Sequence, residues 1–251
     1  MKKHIILILF IIFCYPMNGF TEIPSQNSQK NAENFKKCYR LFPFQWIYPE
    51  YYFEADIKKL KEKSTCKPNY TRVEFFGLSA CIPDIYTETI KKDGKYCTFK
   101  LNKKNDANDT KTRLLIIKKS NNNEDVWSLC SNKKGEPNIK DLCSSFDSYR
   151  DYLHKVYTLT PDKVESIGDM WIVHHKGWHF EGVKNIKIYK GRNFVIFVEI
   201  FKNTADVVKE NIYSYHVTLF HEKVLKNSYI ETHFLNKQNF NHFISTLQTP
   251  K

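Results

Sequence analysis

The sequence lacks the short motifs that identify many enzyme classes. It contains no GxSxG nucleophile motif, no P-loop and no GxGxxG dinucleotide-binding motif. It also lacks HExxH, the helical spacing that fixes the zinc ligands of many metalloproteases. No repeat of about 20–50 residues is visible, which argues against a solenoid or a propeller. These absences leave no catalytic residue to assign, and no cofactor is predicted.

Long apolar runs are also scarce, and the one that exists lies near the N-terminus. Residues 5–13 form a run of nine apolar residues after a basic start. Such a run is shorter than the ~20 residues of a membrane-spanning helix and is typical of a secretory signal peptide. An uncleaved anchor or lipidation at Cys14 is disfavoured by the short run and by the large side chain of Phe13. We therefore predict a signal peptide over residues 1–21, a secreted or periplasmic protein, and no transmembrane segment in the mature chain.

Cysteine is absent from the last 108 residues, so residues 144–251 must be held together by burial. Six cysteines remain after removal of the signal peptide, and an even number in an exported chain predicts three disulfides. They are Cys38, Cys66, Cys81, Cys97, Cys130 and Cys143. Because each successive pair brackets a polar, turn-rich stretch, we favour the sequential pairing 38–66, 81–97 and 130–143. No CxxC pair is present, so disulfides account for these residues better than a zinc site does.

Arginine occurs at only five positions, so lysine carries nearly all of the formal charge of +12. Loss of Lys2 and Lys3 with the signal peptide takes two from +12 and leaves +10. Scattered lysines are typical of a solvated basic surface, and they would also attract an anionic partner over a long range. That partner would be an anionic protein or an envelope surface. The lack of an arginine-rich stripe, together with export, argues against nucleic acid.

The N-terminal third is predicted to lie outside the main domain. Residues 22–37 are polar without periodicity, which predicts a disordered leader. Residues 38–70 are interpreted as an extended aromatic arm and a short charged helix, the latter over residues 54–63. Aromatic side chains alternate along the arm and are candidates for ligand binding or for docking on the rest of the protein: Phe42, Phe44, Trp46 and Tyr48.

Residues 71–251 are predicted to form one α+β domain with an antiparallel sheet of about five to seven strands. A mid-chain helix over residues 141–157, capped by Asp141, and a C-terminal helix would pack on this sheet. Asn236 or Asn239 would cap the C-terminal helix. Its apolar stripe at the i, i+3, i+4 and i+7 positions is Phe240, Phe243, Ile244 and Leu247. Disulfides would cross-link the N-terminal half of the chain.

Two strands late in the chain have informative patterns. Residues 194–201 are apolar on both faces, as expected of a central strand, except for Glu199. A carboxylate in an apolar strand is costly unless it is paired, so we expect a lysine or a histidine nearby. Residues 212–221 alternate strictly, with His216 and Thr218 on the polar face.

The order of these elements resembles that of PsbP-like proteins and of exported DcrB-like bacterial proteins. The order begins with early strands, the first of which is followed by a proline in the segment GLSACIPD. A mid-chain helix, a meander of long strands and a terminal helix in the segment NFNHFISTL follow. The resemblance covers about residues 73–248 and rests on element order alone. It implies an α/β/α sandwich in a non-enzymatic accessory protein, and it carries over no functional residue.

The segment HHKGWH, residues 174–179, concentrates three of the nine histidines. If its central Lys-Gly pair forms the turn of a β-hairpin, cross-strand neighbours lie about 5 Å apart at Cβ. His174, His179 and Glu181 would then converge on one ion, and two histidines with a carboxylate suit zinc. The alternative is a set of exposed histidines near a turn.

These features together predict an exported, non-catalytic binding or accessory protein that acts through a basic surface. An envelope factor and an inhibitor or immunity protein are both of this kind. One alternative is a metal-dependent hydrolase that uses His174, His179 and Glu181. A second is a small-ligand carrier that uses the aromatic residues between positions 42 and 52.

Overall fold

The computed structural model describes residues 32–34, 36–37, 49–86, 88–100, 114–121, 146, 148–202, 213–226, 228–234 and 236–249. The chain divides into two compact units. The first comprises Met1–Glu54 and His154–Glu181, and the second comprises Ala55–Leu153 and Gly182–Lys251. Residues 32–34 and 36–37, at the end of the predicted disordered leader, have helical backbone. The predicted signal peptide lies outside the described residues.

The second unit is built on a mixed β-sheet. Its described strands are β1 (Asp56–Lys59), β2 (Tyr70–Phe75), β3 (Leu78–Pro83), β4 (Glu88–Lys92), β5 (Tyr96–Lys100), β6 (Leu114–Asn121), β7 (Val183–Lys190), β8 (Phe194–Lys202), β9 (Tyr213–His221) and β10 (Ser228–Phe234). Eight of them form one sheet in the order β1-β7-β8-β9-β10-β6-β5-β4, and β2 and β3 form a separate hairpin. The predicted α+β class is confirmed. The predicted antiparallel sheet is only partly right, because β1 is parallel to β7, and the sheet has eight strands rather than five to seven.

The parallel strand β1 lies in the segment for which the sequence predicts a charged helix, residues 54–63. That prediction is wrong. Four consecutive residues of β1 pair with β7, and the N–H of Leu60 then donates to the carbonyl of Lys190 at 2.8 Å. Pairing with the sheet therefore overrides the local helix propensity of this lysine-rich segment.

One face of the sheet carries the main hydrophobic core of the second unit. The hairpin β2–β3 and the C-terminal helix α3 (Lys237–Ser245) contribute to this core. The ring of Phe240 stacks on Tyr215 with centroids 4.7 Å apart. Asn236 caps the helix, because its side-chain oxygen accepts the N–H groups of Gln238 and Asn239. All four residues of the predicted apolar stripe are buried, although Leu247 follows the last residue of the helix, and the predicted cap at Asn236 is confirmed.

The opposite face of the sheet carries the start of the mid-chain helix, α1 (Tyr149–Thr158). The ring of Tyr149 lies 4.8 Å from Tyr229 and 6.1 Å from Phe220 between centroids. Ser148 caps the helix by accepting the N–H of Asp151 at 3.2 Å. The predicted mid-chain helix is therefore present but begins at Tyr149, and the predicted cap at position 141 lies outside the described residues.

The disulfide that the structure describes joins Cys66 to Cys81, with Cα atoms 5.6 Å apart. Sequential pairing is therefore wrong for both 38–66 and 81–97. Cys81 lies in the buried strand β3, and Cys66 lies in the segment just before β2, so the bond ties that segment to the hairpin. Cys97 is buried in β5, and Cys38, Cys130 and Cys143 lie outside the described residues.

The first unit contains the helix α2 (Ile167–His179), which includes the whole HHKGWH segment. The predicted β-hairpin at this position is wrong. Ser166 and Asp169 form a reciprocal cap at the start of the helix: the N–H of Asp169 donates to Ser166 Oγ, and Asp169 Oδ2 accepts the N–H of Ser166, both at 3.1 Å. The buried positions recur with helical spacing at Asp169, Ile172, Val173 and Lys176. Two charged residues within this stripe, Asp169 and Lys176, hide its helical period from a sequence pattern.

Candidate functional site

One edge of the sheet in the second unit carries several lysines. β1 is the terminal strand in the sheet order, and all four of its residues are exposed. The register places Lys59 of β1 beside Lys190 of β7, and Asp56 beside Lys187. We call the following residues the basic edge: Lys58, Lys59, Lys187, Lys190 and Lys237.

The electrostatics of Lys187 show how closely the positive charges of the basic edge are gathered. Burial lowers the pKa of Lys187, and the charges of Lys58 and Lys237 lower it further. Asp56 opposes this effect. The carboxylate of Asp56 is also 4.0 Å from the ammonium of Lys58, and both of these side chains are well exposed. Lys187 is therefore close to two positive charges and one negative charge, so the net electrostatic potential at this edge is positive.

The positive charge continues into the segment that follows β1. Burial lowers the pKa of His242 in α3, and the cations of Lys67, Lys63 and Arg72 lower it further. Backbone contacts fix this segment against the helix: the N–H of Lys67 donates to His242 Nε2 at 3.2 Å, and the N–H of Lys63 donates to the carbonyl of Ser245 at 2.6 Å. Cations near the C-terminal end of a helix are favourable, so the fold holds them there at little cost.

Arg72 has a structural role within this region. Its guanidinium donates to the carbonyl of Thr246 at 3.1 Å, to the carbonyl of Ser64 at 2.9 Å and to Ser79 Oγ at 3.3 Å. One side chain thereby connects the end of α3, the segment before β2 and the strand β3. The guanidinium of Arg72 is occupied by these intramolecular hydrogen bonds, whereas Lys58 and Lys59 of the basic edge are exposed to solvent.

The structure places two of the residues that the sequence predicts as metal ligands on one helix. His174 and His179 lie five positions apart in α2, which corresponds to about 140° around a helix axis, and Glu181 follows the helix. The cross-strand argument for a shared ion at these residues therefore no longer applies. The side chain of His174 lies outside what the structure describes, so the metal site remains a prediction. Among the described residues, no group of three or more His, Cys, Asp or Glu side chains is arranged to hold a metal ion.

The centre of the HHKGWH segment is a buried lysine, which sequence reasoning missed. Lys176 is fully buried in the first unit, and its ammonium donates to the carbonyls of Phe53 and Leu159. Burial lowers its pKa to about 7, while Glu54 opposes this change and Lys163 adds to it. The hint in the sequence was the position of the lysine on the same helical face as the apolar Ile172 and Val173.

The sheet places a histidine beside Glu199, as the apolar pattern of β8 predicts. Nδ1 of His216 lies 3.9 Å from Glu199 Oε2. The predicted alternation of β9 is observed from Tyr215 to Leu219, where Tyr215, Val217 and Leu219 are buried and His216 is exposed. It is not strict over the whole strand, because Ser214 is buried as well. The four candidate aromatic residues of the arm, Phe42, Phe44, Trp46 and Tyr48, lie outside the described residues.

Comparison of the chain with protein-family models, with curated proteins and with solved structures finds no match. The resemblance to PsbP-like and DcrB-like proteins therefore stays a prediction from element order. In the described residues, no helix is both long enough and apolar enough to span a lipid bilayer.

Proposed function

We propose that this protein is exported and binds an anionic protein through its basic edge, without catalysing a reaction. The observation that carries the proposal is the gathering of Lys58 and Lys237 around Lys187, with Asp56 as the opposing charge. Proteins attract oppositely charged partners through such fields, which raise the rate of association more than the final affinity.

The shape of the basic edge favours a protein partner over a flat membrane surface. Successive residues of a strand point to opposite faces of the sheet, so Lys58 and Lys59 project to opposite sides of the edge. A planar surface would contact one side, whereas a concave protein surface can contact both. Lysines on an edge strand also oppose the addition of another strand, so we expect binding through side chains rather than through the backbone of β1.

Export is supported by two independent features of the chain. The N-terminal pattern is typical of a secretory signal peptide. The Cys66–Cys81 disulfide is of the kind that persists in oxidising compartments outside the cytoplasm. Mass spectrometry of the natural protein tests this part separately: we expect a mature chain that begins near residue 22, and an intact N-terminus would contradict export by cleavage.

The binding proposal is tested with two probes, a poly-glutamate peptide for an acidic protein and vesicles that contain anionic phospholipid. The test variant is K58Q/K187Q/K237Q. The control variant K95Q/K223Q/K226Q removes the same charge from exposed lysines elsewhere in the second unit. We expect the test variant to bind poly-glutamate about tenfold more weakly, since each exposed ion pair contributes about 0.2–1 kcal/mol and 1.4 kcal/mol corresponds to tenfold.

The control variant separates a local site from an effect of net charge. We expect it to retain most of the affinity for poly-glutamate at about 20 mM salt, and we expect all binding to weaken steeply towards about 0.15 M. Equal losses in the two variants would reject the basic edge as the site. Tighter binding to vesicles than to poly-glutamate would reject the protein partner in favour of a lipid surface.

A further inference from the structure

Three neighbouring strands of the second unit place two histidines and a carboxylate side by side. Glu199 of β8 pairs in register with His216 of β9, and His216 pairs in register with His233 of β10. Their neighbours Val198 and Val217 are buried in the core on the other face. The three residues therefore form one row across the face of the sheet that lies opposite α3.

The two imidazoles of this row are close together and accessible. Their ring centroids are 4.5 Å apart, with the ring planes at 77°. The side chain of His216 is 50% exposed, whereas that of Glu199 is 16% exposed, so the carboxylate lies deeper than the ring that it approaches. Nδ1 of His216 is the ring atom near this carboxylate, at 3.9 Å.

Burial disfavours the protonated form of both imidazoles. Burial lowers the pKa of His216, with Glu199 and Glu231 opposing the change. Burial also lowers the pKa of His233, and His216 lowers it further. The neutral form is the one that binds metal ions, because a protonated imidazole has no lone pair to offer.

We propose that His216 and His233 bind one divalent transition-metal ion, of which zinc and copper are examples, and that Glu199 orients His216. Directly opposed positions on neighbouring strands have Cβ atoms about 5 Å apart, which lets two imidazoles reach one ion at about 2.0–2.1 Å. A carboxylate that accepts the second ring N–H of a ligating histidine is the usual support for such a ligand. Glu199 lies next to Nδ1, which leaves Nε2 of His216 for the ion.

Two protein ligands make this an open site. The remaining coordination positions would be filled by water or by donor atoms of a bound molecule. Imidazole suits zinc, copper and nickel, whereas magnesium and calcium prefer oxygen ligands. The proposal is independent of binding at the basic edge, because it rests on other residues.

A second pair of histidines provides an internal control. His175 and His179 lie one helical turn apart in α2, with ring centroids 6.1 Å apart. The ring of His179 also packs against Phe180 at 5.0 Å. This pair belongs to the first unit and includes His179, a metal ligand predicted from the sequence, so a double variant here distinguishes binding at that site from binding at His216 and His233.

The test is calorimetric titration of the untagged mature protein with Cu²⁺ and Zn²⁺ at about pH 7.5, where imidazoles are neutral. We expect one saturable ion, with Cu²⁺ bound more tightly than Zn²⁺ and no binding of Mg²⁺. Variants H216Q and H233Q should each lose about tenfold or more in affinity, and E199Q should lose about tenfold. The double variant H175Q/H179Q should bind like the wild type, and electron paramagnetic resonance of the copper form should show two nitrogen ligands.

Three results would overturn the proposal. They are unchanged binding in H216Q and H233Q, a loss confined to H175Q/H179Q, or no saturation below about 1 mM of either ion, the range of non-specific contacts. Unchanged binding in E199Q would reject the orienting role of the carboxylate. Each variant is first compared with the wild type by urea unfolding without metal, which separates lost binding from lost folding.

Discussion

The ammonium group of Lys176 donates a hydrogen bond to the backbone carbonyl of Leu159 at 2.6 Å, within the buried interior of the first unit. A second bond to the carbonyl of Phe53 holds the same group. An ammonium that is taken out of water favours its neutral form, and burial lowers the pKa of Lys176 from 10.5 to about 7. This lysine therefore couples the stability of the first unit to pH.

The coupling has a definite sign. Between about pH 7 and 10.5 the unfolded chain holds a proton at Lys176 that the folded chain does not, so the free energy of unfolding rises with pH. The slope approaches about 1.4 kcal/mol per pH unit within this window. Urea unfolding at several pH values should show that Lys176→Met loses this slope, whereas Lys226→Met, at an exposed position, keeps it. A slope that persists in Lys176→Met would contradict the buried, neutral lysine.

Gly177 lies against the ring of the buried Tyr51, and a Cβ atom at Gly177 would overlap that ring. Alanine normally stabilises a helix interior by about 1 kcal/mol relative to glycine. We expect Gly177→Ala to destabilise the protein instead, by about 1–3 kcal/mol, because of this overlap. Gly94→Ala, where no atom lies within 4 Å of the new Cβ, should be nearly neutral. The loss of unfolding free energy caused by Gly177→Ala should be smaller when Tyr51 is replaced by alanine. An equal loss in that background would show that overlap with the Tyr51 ring is not the cause.

Asp169 caps α2 and also contacts Lys155, with 2.5 Å between the carboxylate and the ammonium. Burial raises its pKa, but hydrogen bonds from Lys155, the N–H of Glu165 and Ser166 outweigh burial, so the pKa lies below its ordinary 3.8. The stabilisation is complete above 3.8 and is lost as the pH falls through the lower, folded value. Asp169→Asn should cost about 1–2 kcal/mol at neutral pH, as the loss of a helix cap does.

The control for Asp169 is Asp151→Asn. Asp151 makes the corresponding cap contacts with Ser148 at the start of α1, but its side chain is 45% exposed. We expect Asp151→Asn to lower the unfolding free energy by less than Asp169→Asn does, because water can replace the contacts of the exposed Asp151 side chain. Urea unfolding of both variants checks this order, and a larger loss in Asp151→Asn would contradict the importance that we assign to burial of Asp169.

The Cys66–Cys81 bond closes a loop with a sequence separation of 15 residues. Peptide mapping of the non-reduced protein should recover these two cysteines in one linked peptide. In the chain-entropy account a loop of this length contributes about 3 kcal/mol, so Cys66→Ser/Cys81→Ser should lower the unfolding free energy by about that amount. A linked peptide that joins Cys66 to Cys38 would restore the sequential pairing and reject the pairing described above.

Sequence patterns predicted those parts of the fold that depend on local periodicity. The stripe that contains Phe240 and Phe243, the cap at Asn236 and the alternation around His216 all follow from the 3.6-residue and two-residue periods. The histidine beside Glu199 followed from the cost of an isolated carboxylate in an apolar strand.

The parts that sequence patterns missed depend on contacts between distant segments. β1 is a strand because β7 offers it a partner more than a hundred residues away along the chain. The HHKGWH segment buries Lys176 against the carbonyl groups of Phe53 and Leu159, which no local pattern contains. The disulfide partner of Cys66 is likewise set by the packing of the β2–β3 hairpin. The basic edge was visible only as scattered lysines until the register of β1 and β7 brought them together.

The measurement that tests the central proposal most directly is a lysine-modification footprint with bound poly-glutamate, read by mass spectrometry at low salt. We predict that Lys58, Lys187 and Lys237 of the basic edge lose reactivity towards an acylating reagent when the peptide binds, while Lys95 and Lys223 do not. Protection of Lys95 and Lys223 with full reactivity at the basic edge would contradict the account, because the anionic partner would then bind elsewhere on the second unit.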